Sequence, residues 1–362
     1  MTALTLQSPL FMRILLWSAV TLVVAVLVLV GATLVLQLRA DRLNARRIAA
    51  CQRWEAALPE FLFGAGEIPA AFRGVAEADR SFLRQFLNLT MATVGGNEGQ
   101  SLKQLYFAAG LDADLDPRLR SGSPRDRAVA ALEVGSFDLA ARLPDLVPLL
   151  QDPAPFVAFA AARSLAESRD LAYAGPVLEW VVTQDQYQQE RLISLLEGFG
   201  PGLLSWLEAL LRDRPSLAVE WRLFALLAAS HKHHESLPVL LGLLKSPDVE
   251  VQAAAIRGLT ALGDPVAYPQ VAPFAESREP LLRMNAAQAL GTLGGNLALP
   301  ALQALLSDLV YDVRRHASHS LANLGVAGIS MLEAVAGNPA ADPFARDMAA
   351  ERLEWAEQRG RA

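Results

Sequence analysis

Beyond residue 120, five arginines recur in a common register: Arg127, Arg163, Arg191, Arg222 and Arg257. Each stands two or five residues before a leucine, namely Leu132, Leu165, Leu196, Leu227 and Leu259. On an α-helix those two offsets point about 160° and 220° away from the leucine. The same register continues through Ser194, Asn285, Gln288, His316 and His319 to Glu351. Guanidinium forks pair bidentately with carboxylates and phosphates. The row Arg127, Arg163, Arg191, Arg222, Arg257, Gln288 and His319 is therefore a candidate surface for an acidic or phosphorylated protein partner. A second reading stands beside it, in which these arginines pair with Asp and Glu of the same helix stack.

Other side chains with chemical potential cluster less well. His231, His233 and His234 crowd one segment, and His316 and His319 stand three apart on another. Zinc needs three or four converging ligands. No cysteine lies near either group and no His-Glu-x-x-His run occurs, so no metal is expected, and HKHHES reads as a solvated loop between repeats. No GxSxG elbow, phosphate-cradling GxxxxGK[ST] or dinucleotide fingerprint is present, so no catalytic residues, no cofactor and no enzyme activity are expected. Gly95 to Gly99 is glycine-rich without an apolar strand before it, and reads as a turn. Cys51 is the sole cysteine, which excludes an intrachain disulfide.

The elements that must position the arginines are helices. Hydrophobic residues make up 52% of the 362 residues and aromatics 7%, a balance that favours close-packed helices over a β-sandwich. The net charge of -6 leaves no global footprint for nucleic acid. Eight leucines recur: the five above, then Leu290, Leu321 and Leu353, at spacings of 33, 31, 31, 32, 31, 31 and 32 by subtraction. Four residues before them stand Ala128, Ala161, Leu192, Leu223, Ala255, Ala286, Ala317 and Ala349. Three before stand Val129, Ala162, Ile193, Phe224, Ile256, Ala287, Ser318 and Ala350. These offsets share one helix face, so each segment is expected to bury the same stripe. Pro238, Pro269 and Pro300 open a preceding helix in the clearest copies, Asp248 supplies an N-cap, and Gly263, Gly294 and Gly325 end the second helices. A two-helix period of 31–33 residues means an α-solenoid.

LPVLLGLLKSPDVEVQAAAIRGLTALGD and LPALQALLSDLVYDVRRHASHSLANLG resemble HEAT repeats, of the short variety also seen in phycobilin lyases. The resemblance spans roughly residues 123–357. It implies an all-α solenoid of about eight helix pairs over residues 123–362, ending in a polar cap. It further implies that Arg125, Gln189, Gln252, Arg283, Arg314 and Arg346, seven residues before the leucines, bond to the turns between helices, with Asp248 and Asp312 as candidate partners. Such repeats serve scaffolds, adaptors and a few enzymes, so a lyase-like or cofactor-binding groove is the alternative function.

Residues 14–38 carry no charge and read as one transmembrane helix, long enough at about 37 Å to cross a hydrocarbon core. A cleaved signal fits poorly, since the apolar run is too long and no small-x-small site precedes the arginines. Arg13 precedes the span, while Arg39, Arg42, Arg46, Arg47 and Arg53 follow it. That asymmetry predicts a short external tail at 1–13 and a cytoplasmic C-terminal part. Residues 39–122 form a helical stalk in which Trp54, Leu58 and Leu62 share a face and Phe61 and Phe63 lie alongside. Phe82, Phe86 and Leu89 form the core side of a second helix, and Asp112 to Pro124 reads as loop. The sum is a bacterial-type, single-pass inner-membrane scaffold, an accessory to a synthase or transporter.

Overall fold

Helix α1 runs unbroken from Pro9 to Phe63 in the computed structural model, which describes residues 9–63, 67–91, 93–94, 97–212, 214 and 216–360. The first eight residues of the expected tail and Gly95-Gly96 lie outside the described residues. At 1.5 Å per residue, α1 is about 80 Å long. Its apolar residues from Val23 to Leu38 are exposed. By length and composition, α1 holds one segment able to cross a membrane.

Two compact units follow the chain, Met1–Leu139 and Ala140–Ala362. The helix expected to open the solenoid, Pro124–Ser136, thus falls in the first unit. That unit holds α1, α2 (Glu77–Met91), α3 (Asn97–Ala108), α4 (Leu115–Leu119) and α5 (Pro124–Ser136). Of the face expected on the C-terminal part of α1, Trp54 is buried and Leu58 and Leu62 are half-buried, while Phe61 alongside is buried. The Trp54 indole donates to the Ala71 carbonyl at 3.1 Å, which fixes the ring against Phe86 at 5.8 Å. The face of α2 differs from expectation. Leu83 and Leu87 are buried, Phe82 and Phe86 only half-buried, and Leu89 exposed. The stretch from Asp112 to Pro124 is not all loop either, because α4 buries Leu115 and Leu119 within it. Helix α5 packs on α4 and α2. It therefore turns Ala128, Ala130, Ala131 and Val134 inward, leaving Leu132 half-buried and Val129 exposed, against the expected stripe.

The second unit opens on a 3₁₀ stretch, Ala140–Gln151, with Pro144 and Pro148 inside it. Proline removes the donor that an α-helix would need there. Then come α6 (Pro155–Glu167), α7 (Ala174–Val182), α8 (Gln186–Arg191), α9 (Ile193–Leu196), α10 (Gly202–Leu211), α11 (Ala218–His231), α12 (Leu237–Leu243) and α13 (Val249–Leu262). The chain ends with α14 (Tyr268–Val271), α15 (Pro280–Leu293), α16 (Leu299–Leu305), α17 (Tyr311–Asn323), α18 (Val326–Ala336) and α19 (Pro343–Gly360). No strand occurs among the described residues.

Helices α11, α13, α15, α17 and α19 stack in succession, and α12 and α16 pack against α13 and α17. This is an α-solenoid. Leu165, Leu196, Leu227, Leu259, Leu290 and Leu321 are buried, as are all the residues four before them. Each such leucine contributes about 1.5–3 kcal/mol by leaving water. Leu353 is only half-buried and Ala350 exposed, since α19 has the stack on one side alone. Pro238, Pro269 and Pro300 sit in the first turns of α12, α14 and α16. Gly263 caps α13 with φ +68. After α15 the left-handed residue is Gly295, not Gly294. One second helix departs from the pattern: it breaks at Leu192 into α8 and α9.

Candidate functional site

In the second unit, several of the residues seven before the leucines bond to the turn that precedes their helix. The Gln189 amide donates to the Val182 and Gln184 carbonyls at 3.0 and 2.8 Å. Gln252 donates to Leu244 at 3.1 Å. Arg283 donates to Ser277 and Arg278, and Arg314 to Asp308 and Leu309. These four side chains tie their helices to the preceding turn, as the resemblance implied. Arg125, which is exposed, and the half-buried Arg346 make no such bond among the described residues. The acidic partner differs from expectation. It is Asp308, which receives Arg283 bidentately at 2.6 and 2.9 Å, while Asp248 caps α13 and Asp312 lies 3.7 Å from Arg315. Burial pushes the Asp308 carboxyl up, but Arg283, the Val310 N–H and Arg314 outweigh it and hold it below the ordinary range.

The expected arginine row does not form one surface. Arg163 is exposed and pairs with Glu167 at 2.7 Å, and Arg257 is half-buried, 3.6 Å from Glu190. In the first unit, Arg127 donates to the Ser121 carbonyl at 2.7 Å. Arg191 is exposed but not free of partners. Gln288 is exposed, and His319 meets Trp355 edge-on at 6.4 Å. Arg222 and Asn285 are buried, at 5% exposure each. The physical reason is that a second helix sits between two others. At Arg163, Ser194, Gln288 and His319 the offset two before the leucine stays open, whereas Ala225 at that offset is buried. The offset five before lies under a neighbour at Ala160, Arg222, Ala254 and Asn285 but is open at Arg191. Most of the row is paired within its own unit.

The burial of Arg222 creates something the row did not foresee. Arg222 Nη2 donates to the side-chain Oε1 of Gln189, and Gln189 is itself locked to the turn. Around Arg222 lies a cleft of about 370 Å³, lined also by Gln184, Gln186, Ala218, Asp248 and Glu250. It sits where α8, α11 and α13 begin. The break at Leu192 leaves α8 only six residues long in this wall. The histidines assemble nothing comparable. His233 meets Ser236 Oγ at 2.8 Å, and burial, with Arg315 beside it, holds the half-buried His316 ring below its ordinary value.

The first unit holds an ionic cluster that periodicity alone does not reveal. Glu133 is wholly buried and receives Arg118 at 2.7 and 2.9 Å. Arg84 lies 3.8 Å from Glu133 and pairs with Asp114. The Tyr106 hydroxyl donates towards Glu133 at 3.4 Å, and its ring stacks on Phe137 at 4.5 Å. Burial and the Glu133 charge push the Tyr106 phenol well above its ordinary range. The available signal was a lone carboxylate in the apolar run AVAALEV.

A HEAT-repeat family matches the chain in two overlapping segments, residues 203–274 and 237–322. No curated protein matches it. Among solved structures, the complex of CpcE and CpcF of phycocyanin lyase from Nostoc sp. PCC7120 is 19% identical over 67% of this chain and 93% of that one, with TM-score 0.32. Human deoxyhypusine hydroxylase in complex with glycerol is 16% identical over 86% and 98%, with TM-score 0.29. An engineered protein is 18% identical over 87% and 96%, with TM-score 0.36. The family match falls on the stretch where α10 to α17 stack leucine over leucine: this chain carries a HEAT-repeat α-solenoid.

Proposed function

We propose that the chain is a membrane-anchored scaffold whose HEAT-repeat solenoid binds a protein partner on the cytoplasmic side. The observation that carries this reading is the joining of an exposed apolar helix segment to a stack of HEAT repeats. An anchor raises the effective concentration of whatever the solenoid holds near the bilayer. The five arginines after the span, against one before it, support the inside orientation. Membership of a larger membrane complex, such as a synthase or transporter, is the finer form of the proposal.

Crosslinking in intact cells, followed by identification of the crosslinked species, tests it. A defined partner is expected, and its recovery should fall when the exposed Arg163 and Arg191 are both changed to Glu. Absence of any specific crosslink sinks the scaffold reading. A purified chain that retains a coloured or small-molecule ligand would favour a lyase-like groove instead.

A further inference from the structure

The geometry points to the cleft at the start of α11 as a binding site for a carboxylate with a cationic group close by. That is the charge pattern of adjacent acidic and basic side chains in a peptide. The inference deepens the protein-binding reading and rests on it for the peptide source.

Arg222 supplies the argument. It is only 5% exposed, lines the cleft, and its Nη1 is buried with no hydrogen-bond partner among the described residues. Its bonded partner, Gln189, is neutral. No carboxylate among the described residues forms an ion pair with it, so the buried cation has no direct salt-bridge partner although Asp248 and Glu250 line the same cleft. Such a group is costly unless an anion completes it. The nearby acids are committed elsewhere. Asp248 caps α13 through the Glu250 and Val251 N–H groups at 2.8 and 3.0 Å, and Glu250 accepts from Gln186 at 3.1 Å.

Helix α11 adds a second donor set. Its N-cap is Leu217, which has no side chain able to bond the first-turn N–H groups. The Ala218 N–H already reaches the Ser216 carbonyl at 3.0 Å, so Val219 is the first-turn residue that offers its N–H to the cleft. The start of a 14-residue helix favours negative charge. An anion seated there meets Arg222 and α11 together. Because Gln189 already holds the guanidinium, little ordering is left for the ligand to impose.

The acidic lining residues select what accompanies the anion. Asp248 and Glu250 repel a bare dianion such as phosphate and favour a ligand that brings its own positive charge. The volume of about 370 Å³ is of the size of an acidic and a basic side chain on adjacent residues.

Calorimetric titration of the full chain in detergent micelles tests this, with N-acetyl-Asp-Lys-amide, free lysine, acetate and inorganic phosphate as probes. Saturable binding of the dipeptide is expected. Arg222→Gln should weaken it about tenfold or more, because the ligand carboxylate then has no charged donor to pair with. Glu250→Gln should narrow the preference for dipeptide over acetate, and it keeps the test alive if Arg222→Gln fails to fold. Binding of free lysine without the dipeptide would retain the site but assign it to a free amino acid. Preference for phosphate, no saturable binding of any probe, or binding unchanged by either substitution would overturn the assignment. Partner crosslinking that fails while dipeptide binding persists would count against the scaffold reading alone.

Discussion

Glu133 shows how much one side chain can weigh. A wholly buried carboxylate is tolerable only because Arg118 meets both its oxygens and Arg84 and Tyr106 stand close. Removing one partner leaves an uncompensated buried charge. Arg118→Met should therefore lower stability by roughly 3–5 kcal/mol, and Arg118→Lys should recover only part of it, since one ammonium cannot serve two oxygens in the same fork geometry. Urea unfolding of the purified chain, followed by circular dichroism, reads both. Asp308 makes a pH-dependent contribution of the same kind. Its folded carboxyl titrates below the ordinary value, so its contribution is full above about pH 4 and fades as pH falls through the folded value. Asp308→Asn should remove about 2–3 kcal/mol at pH 7 and flatten the acid limb of a stability–pH curve. An acid limb identical to that of the unsubstituted chain would contradict the role given to the Arg283–Asp308 pair.

At the scale of elements, periodicity was informative as far as packing is regular. Leu227, Leu259, Leu290 and Leu321 and the residues three and four before them were legible because each second helix repeats the same environment. The pattern weakened where the environment changes. Leu132 belongs to a helix packed on α4 and α2, and Leu353 to a helix at the end of the stack. The break at Leu192 was hidden because QERLISLL, which spans it, has no glycine or proline to mark it. The arginine row failed for a similar reason. A helical wheel shows which residues point away from the leucine, but not which of them a neighbouring helix covers. Arg222 was thus grouped with four other arginines as a surface residue, whereas the structure buries it. Close approach between elements offers a sharp test at Gly328 in α18. A methyl group there would overlap the Leu321 carbonyl oxygen, a backbone atom that cannot swing aside. Gly328→Ala should cost about 1–3 kcal/mol through overpacking, despite the better helix propensity of alanine. Thermal unfolding that stays the same or rises would show that α18 shifts freely on α17.

At the scale of the whole molecule, the apolar part of α1 is the feature that soluble packing leaves unexplained. From Val23 to Leu38 the side chains are exposed, whereas equally apolar residues of the repeats are buried. An exposed aliphatic stretch of this length needs a hydrocarbon environment or a partner, and it lacks any charge that would suit water. Membrane insertion makes a quantitative prediction. One arginine near the middle of the span costs about 2.5–3.5 kcal/mol on insertion scales, so Leu27→Arg with Val30→Arg should approach the point where insertion fails. In cell fractionation, the unsubstituted chain is expected in the membrane pellet after an alkaline carbonate wash. The doubly substituted chain is expected in the wash or degraded. The repeats supply the control, because Val266 and Leu297 are exposed on turns of the solenoid and arginine at those positions should leave fractionation unchanged. If the washed pellet loses the unsubstituted chain, or keeps the doubly substituted one, then α1 is held by a protein surface rather than by lipid. The solenoid would in that case be tethered through a partner.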